Sequence, residues 1–244
     1  MKVAVFGAKG RMGAEICRAV EEAPDLELVA ALDVGDDPAS AGAADVVIDF
    51  TVPDAVMANL EWCAGHGVHA VVGTTGFTPE RLAQVEQWFT QAGRNVVVAS
   101  NYAIGSLLMM KFAEIAAPFF ESVEIIELHH PNKVDAPSGT AVTTAQRIAQ
   151  ARAKAGCAPV PDATTQEIPG ARGADVGGIR VHAVRQRGLF ANQEVRFGNE
   201  GEQLTIVENG FARSAYMPGI LAAVRAVPTL PGLTQGIEEL LGIN

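Results

Sequence analysis

Residues 129–141 read HHPNKVDAPSGTA, with two of the chain's five histidines side by side, Lys133 four positions after the first, and a Ser-Gly-Thr turn beyond. Imidazoles exchange protons near neutral pH, an ammonium grips or protonates an anion, and a helix that starts at Ser138-Gly139-Thr140 presents free backbone amides. The chemistry of such a set is carboxylate binding combined with proton transfer. No metal site is expected, because adjacent histidines on a strand point to opposite faces and no third ligand is spaced to join them. A purely structural use of His129 and His130 at a strand end is the competing reading. His66 and His69, in AGHGVHAVVG, fall across a helix-to-strand turn and read as structural.

A second constellation lies at the start. VAVFGAKGRMG sets Gly7, Gly10 and Gly13 between a first strand and a first helix, in GxxGxxG rather than GxGxxG spacing. Glycines there let the backbone approach a pyrophosphate held on helix N-terminal amides, although packing alone could also use them. Asp33 follows Gly13 by twenty residues at the end of LVAALD. A carboxylate there accepts from ribose hydroxyls and favours NADH, whereas Lys9 and Arg11 in the loop could neutralise a 2′-phosphate and favour NADPH. The opposed signals point to use of both cofactors. VVGTTG and VVASNYAIG would meet at the carboxyl edge of the same sheet as walls of a nicotinamide pocket, with ordinary turn chemistry as the alternative.

The elements that position these residues follow from periodicity. Up to about residue 100, short continuous apolar runs (KVAVFG, LELVAALD, DVVIDFT, HAVVGTT, NVVVASN) alternate with helical patterns near 12–23, 53–65 and 79–92. Thr78, Pro79 and Glu80 give the last helix a strong start. After Asn101 come a helical run IGSLLMMKFAEIAAPFF, a strand VEIIELHH, and a helix from SGTAVTTAQRIAQARAKAG, capped by Ser138 or Thr140, with Val142, Ala145, Ile148 and Ala149 on its apolar face. A Pro/Gly-rich loop fills 156–178. GIRVHAVRQ, LFANQEVRFGN and EQLTIVENG then read as strands that should pair mostly antiparallel, and 213–244 reads as helical, broken at Pro228 and Pro231. The expected fold is α/β: a Rossmann-type doubly wound parallel sheet from 1–103 plus 213–244, and a second α+β, substrate-binding domain from 104–212.

The whole chain bounds its partners. At 244 residues and 48% hydrophobic it can bury a sizeable core, and 18 Lys plus Arg against 28 Asp plus Glu give a net charge of −10 that disfavours nucleic acid and anionic membrane surfaces. Three scattered cysteines without CxxC suit a reducing compartment, and neither a signal peptide nor a membrane span is legible, so a cytoplasmic protein is expected.

GAKGRMG, VVGTTGF, NYAIG and above all ELHHPNKVDAPSGTA resemble the dihydrodipicolinate reductase family (4-hydroxy-tetrahydrodipicolinate reductases) of bacterial lysine biosynthesis, over nearly the full chain and including GIRVHAVR and NQEVRFG. The resemblance implies NADH- or NADPH-dependent reduction of a cyclic imine-type dicarboxylate to tetrahydrodipicolinate with loss of water, in a homotetramer assembled through the second domain's sheet. It implies His129 as proton donor and acceptor and Lys133 as proton donor, with His130, Ser138, Gly139 and Thr140 on the substrate carboxylates. Gly7, Ala8, Lys9, Gly10, Arg11, Met12, Asp33, Gly73, Thr74, Thr75, Ala99, Ser100, Asn101 and Tyr102 would line the cofactor. Departures are small: PN precedes Lys133, ASN precedes Tyr102, and Tyr102 stands where family members often carry phenylalanine. Two other readings compete. A semialdehyde dehydrogenase needs a nucleophilic cysteine, and Cys157 in KAGCAPVP is the only one in the second domain; a dinucleotide-sensing protein would bind cofactor without turnover.

Overall fold

The continuous apolar runs of the first hundred residues become parallel strands in the computed structural model, which describes residues 1–243; the inner ones are buried on both faces and the edge strand from LELVAALD only in part. Along the chain they are β1 (Lys2–Phe6), α1 (Arg11–Glu22), β2 (Glu27–Leu32), β3 (Val46–Asp49), α2 (Val56–Gly65), β4 (His69–Val72), α3 (Pro79–Ala92) and β5 (Val96–Val98). After an excursion to a second unit the chain returns as α6 (Met217–Ala226) and β11 (Leu233–Gln235). The sheet order is β11-β5-β4-β3-β1-β2, every pair parallel. Strand alternation sends Ala4, Phe6, Val47, Ala70 and Val72 to one face, where they form a core with Leu60 of α2 and with Val85 and Phe89 of α3. The intervening Val3, Val5, Val46, Ile48 and Val71 are equally buried. α1, with Ile16 and Val20 buried, packs on β1, β2 and α6. Each such side chain contributes about 1.5–3 kcal/mol by leaving water, so both helical layers are held firmly to the strands.

Thr78 caps α3 as its sequence suggests, accepting from the Arg81 amide at 3.3 Å. The helix expected near 53–65 begins at Val56, because Val52–Ala55 closes a turn first, with the Ala55 amide donating to the Val52 carbonyl at 3.0 Å. Residues 213–244 differ more. Only Met217–Ala226 is α-helical, and Leu233–Gln235 is a strand paired with β5. A three-residue edge strand carries too few positions for alternation to declare itself.

The second unit, Gly105–Ala212, is separate from the first, Met1–Ile104 with Arg213–Asn244. It contains most of α4 (Ile104–Ala116), then β6 (Ser122–His129), α5 (Gly139–Lys154), β7 (Ala174–Val176), β8 (Ile179–Arg185), β9 (Ala191–Asn199) and β10 (Glu202–Gly210), with sheet order β10-β9-β6-β8-β7. Three of its four pairings are antiparallel; of the three strands expected to pair with one another, β9 and β10 do so, whereas β8 lies between β6 and β7. The fourth, β6 with β8, is parallel. Here α5 and the long loop after it carry the chain back over the sheet, and β6 separates β8 from β9. β7 lies inside the stretch read as loop. α5 seats Ala141, Ala145 and Ile148 against β6 and β8. Its buried Arg152 donates to the carbonyls of Ala117, Phe120, Glu121 and Ala158, which fastens the helix end. Among the described residues no buried side-chain nitrogen or oxygen lacks a hydrogen-bond partner, and no helix is long and apolar enough to cross a membrane.

Candidate active site

Two sets of candidate residues lie at the ends of strands, one in each unit. In the second, β6 ends at His129 and a loop of nine residues, 130–138, leads into α5. The strand period of two puts Glu127 and His129 on one face, and the His129 ring meets the Glu127 carboxylate, Nδ1 to Oε2, at 2.6 Å. Glu127 is 0% exposed and takes three more donors: Arg185 Nη1 on Oε2 at 2.7 Å, Arg185 Nη2 on Oε1 at 2.8 Å, and the Ser138 amide on Oε1 at 3.0 Å. Burial alone would raise its pKa, but the Arg185 fork and His129 outweigh it and hold the carboxyl below the ordinary glutamate value. The His129 pKa is lowered, chiefly by burial and further by the charges of Lys133 and Arg185, against the pull of Glu127. A neutral ring that donates from Nδ1 leaves Nε2 free to accept a proton.

Lys133 follows four residues after His129, and its Nζ pairs with Asp135 Oδ1 at 2.7 Å. The Asp135 carboxyl is held below its usual range: burial opposes this, but the Lys133 ammonium and the amide of Gly139 prevail. An internal carboxylate thus already sits between the lysine and the start of α5. Ser138 caps that helix, its Oγ accepting from the Ala141 amide at 3.2 Å, while Gly139 is exposed and Thr140 half-buried. Behind the first turn Thr144 donates to the Thr140 carbonyl at 2.7 Å and accepts from buried Gln193 of β9 at 2.9 Å. This start of α5 can hold an anion, with Lys133 to balance its charge. His130 lies half-buried just past the strand end.

In the first unit the sheet order reverses between β1 and β3, the crevice where open α/β sheets take ligands. Gly7 has φ of +81°, and a Cβ on Gly13 would stand 2.0 Å from the Gly7 carbonyl oxygen, so helix and turn close against each other only with glycine in both places. Gly10 is the N-cap of α1 and no side chain caps the helix, which leaves its first amides available to a pyrophosphate. Lys9 and Arg11 are exposed beside it. Asp33, just past β2, accepts from the Lys9 amide at 2.7 Å and from the Val34 amide at 2.8 Å. Those amides, with a smaller contribution from the Lys9 charge, lower its pKa. These residues fit a dinucleotide: a cradle without side chains, two cations, and an ionised carboxylate at the tip of the second strand.

The expected pocket walls are built differently from their sequence reading. Thr74 is buried, its hydroxyl on Asp49 Oδ1 at 2.6 Å, and Asp49 also accepts from the Thr51 amide and hydroxyl and from Asn59 Nδ2. Tyr102 is buried too, donating to the Val72 carbonyl at 2.8 Å, with its ring 5.7 Å from that of Phe50 and its pKa pushed up by burial. A Cβ on Gly73 would fall 2.1 Å from Phe50 Cζ. In this stretch Thr74, Tyr102 and buried Ala99 therefore support the strand ends from within, whereas Thr75, Ser100 and Asn101 remain outside the core. Ala8 is buried behind the glycine turn and Met12 half-buried on α1.

Sequence reading gave no role to Glu127, Arg185, Asp135 or Asp49. The first was legible, two positions before His129 on a strand; Arg185 was not, fifty-eight positions from Glu127. His66 stacks on Trp62 at 4.3 Å and His69 accepts from the Asn95 amide at 3.0 Å, both as structural members. Cys157, at the exit of α5, lies 3.7 Å from the Pro118 carbonyl oxygen. Among the described residues no three His, Cys, Asp or Glu side chains converge as metal ligands.

Comparison with known proteins places this arrangement. Residues 1–102 match the family model "Dihydrodipicolinate reductase, N-terminus" and residues 105–241 match "Dihydrodipicolinate reductase, C-terminus". The chain is 59% identical to the 4-hydroxy-tetrahydrodipicolinate reductase of Cutibacterium acnes over 245 residues, all of both chains. It is 58% identical to that of Streptomyces coelicolor over 247 residues, covering 100% of this chain and 99% of the relative. Among solved structures, the dipicolinate-bound dihydrodipicolinate reductase from Paenisporosarcina sp. TG-14 superposes with a TM-score of 0.85 at 37% identity, covering 98% of each chain.

Proposed function

The chain belongs to the dihydrodipicolinate reductase family, and from that premise we propose that it reduces 4-hydroxy-tetrahydrodipicolinate to tetrahydrodipicolinate with NADH or NADPH, in the diaminopimelate route to lysine. The observation that carries this reading is the gathering of an imidazole with a free Nε2, an ammonium and an anion-holding helix start within eleven residues at the end of one strand. The bound dinucleotide supplies a hydride. His129 Nε2 takes a ring proton and returns it to the departing hydroxyl, so that the C–H and C–O bonds break, a ring double bond forms and water leaves. Hydride addition leaves electron density on a ring carbon that must be quenched by a proton, and Lys133 Nζ donates it. The substrate's carboxylates lie on the amides of Gly139 and Thr140, with His130 and Ser138 beside them, and displace Asp135 from Lys133.

For the cofactor, the Gly7–Met12 turn and the start of α1 hold the pyrophosphate, Asp33 accepts from ribose hydroxyls, and Lys9 with Arg11 accommodates a 2′-phosphate. Gly73, Thr75, Ser100 and Asn101 border the nicotinamide, and Thr74, Ala99 and Tyr102 hold those segments in place. A homotetramer through the second sheet fits β10, an edge strand with exposed Leu204 and Val207. Light scattering of the purified protein checks that assembly.

The deciding assay follows NADPH absorbance with substrate freshly condensed from pyruvate and aspartate semialdehyde. Substrate-dependent oxidation is expected. Cofactor binding without turnover would instead identify a dinucleotide sensor and sink the reductase reading.

A further inference from the structure

We infer that Glu127 is a positioning residue for the reaction: its carboxylate fixes His129 as the tautomer protonated at Nδ1 and open at Nε2, and ties that ring to the start of α5. The inference rests on the reductase reading for its consequence in turnover, but its structural content stands on the hydrogen bonds alone. Arg185 cannot give up its proton and places two N–H groups on Glu127, one on each oxygen. The Ser138 amide adds a third donor. A carboxylate that accepts from a forked guanidinium on both oxygens is ionised and has only acceptor sites to offer, so the fourth contact, at 2.6 Å, requires the hydrogen on His129 Nδ1. The charges facing His129 are Glu127 on its own strand, Arg185 on β8 and Lys133 in the following loop. With Asp135 paired to Lys133, a neutral ring leaves two cations against two carboxylates, whereas a doubly protonated ring would add a third cation, so the neutral ring is the one this cluster accommodates.

One carboxylate therefore governs both the proton acceptor and the anion cradle. Oε2 aims the imidazole and Oε1 anchors the residue that caps α5. The arrangement is that of the acid behind the histidine in a hydrolytic triad, with an arginine added because this carboxylate is wholly buried.

Two experiments test it. In the full chain labelled with ¹⁵N-histidine, long-range proton–nitrogen correlations near neutral pH, with His129 assigned by loss of its signals in His129→Gln, should show a pyridine-like Nε2 and a pyrrole-like Nδ1. The opposite tautomer, or a doubly protonated ring, overturns the inference without any variant of Glu127. In Glu127→Gln the amide oxygen is claimed by Arg185, so the NH₂ group turns to His129 Nδ1 and reverses the tautomer. Turnover should then fall roughly 10²–10⁴-fold, with cofactor affinity unchanged, and Glu127→Asp should restore part of it together with the alkaline limb of the pH profile. A Glu127→Gln variant with wild-type kcat and pH profile overturns the positioning role. Wild-type protein without turnover defeats the reductase reading instead, and the spectrum then judges the tautomer by itself.

Discussion

Arg185 and Glu127 meet in a two-pronged ion pair across the parallel β6–β8 ladder, Nη1 to Oε2 at 2.7 Å and Nη2 to Oε1 at 2.8 Å, and Arg185 Nη2 also donates to the Asp135 carbonyl at 2.7 Å. This arginine thus joins the strand that carries His129 to the loop that carries Lys133. The pairing of β6 with β8 puts His129 opposite Arg185 in register, so the site depends on the one parallel pair of the second sheet.

Arg185→Met should reveal how much of the fold leans on this pair. It leaves a buried carboxylate without its cation and should cost about 3–5 kcal/mol at neutral pH. Acidification that protonates Glu127 should recover part of the loss, and the double variant Arg185→Met/Glu127→Gln should be more stable than Arg185→Met alone. Urea unfolding of the four proteins measures the cycle; additive losses would mean that the two side chains do not act as a unit.

Acid should destabilise the wild-type protein in two steps. His129 has its pKa lowered from 6.5 in the folded chain, so the unfolded chain binds more protons and stability falls as pH drops below about 6.5. Glu127, Glu124 and Asp135 have lowered carboxyl pKa values, and their stabilisation is complete above the ordinary carboxylate range and lost as pH falls through it. Urea midpoints at pH 7.5, 5.5 and 4 should fall in that order, and His129→Gln should reduce the upper step, the remainder belonging to His69, whose pKa burial also lowers. A wild-type midpoint that rises toward pH 5.5 would contradict the neutral buried imidazole.

Legibility in the sequence follows the range of the interactions. Runs such as VVVAS and the Thr78-Pro79 start signal encode strand and helix within a few residues, so most elements of the first unit stand where periodicity puts them. His129, Lys133 and Ser138 are legible because one strand end, one loop and one helix start bring them together. Arg185 is not, since only the crossover that makes β8 parallel to β6 returns it to Glu127. Thr74 and Tyr102 show the converse: hydroxyl groups at strand ends read either as ligand contacts or as ordinary turn chemistry, and in the structure they bond to Asp49 and the Val72 carbonyl. Nothing local distinguishes a hydroxyl that faces a pocket from one that satisfies a buried carboxylate.

Asp33→Ala should weaken NADH more than NADPH. In the proposed cofactor site its carboxylate accepts from the ribose hydroxyls, so the loss should be roughly ten- to a hundred-fold in KM for NADH. It also accepts from the Lys9 amide, so the variant loosens the turn and NADPH should lose a few-fold as well. KM for each cofactor measures the ratio. Equal losses would assign Asp33 to the turn alone.

Lys133→Ala should lower kcat by about 10²-fold or more while dinucleotide affinity is unchanged, because the glycine turn proposed to hold the cofactor belongs to the other unit. In the proposed reaction the ammonium has two tasks, charge for the substrate carboxylate and a proton for the ring carbon, and Lys133→Arg separates them. Guanidinium keeps the charge but does not release its proton, so KM should stay near the wild-type value while kcat stays low. Asp135, paired with Lys133 at 2.7 Å, adds a third readout. If substrate carboxylate must displace it, Asp135→Asn should lower KM for substrate and steepen its dependence on salt, as the site becomes more positive. Stopped-flow oxidation of NADPH and cofactor fluorescence titration measure the two sides separately. Wild-type kcat in Lys133→Ala would remove the lysine from the proton path and leave the quenching proton to His129 or water.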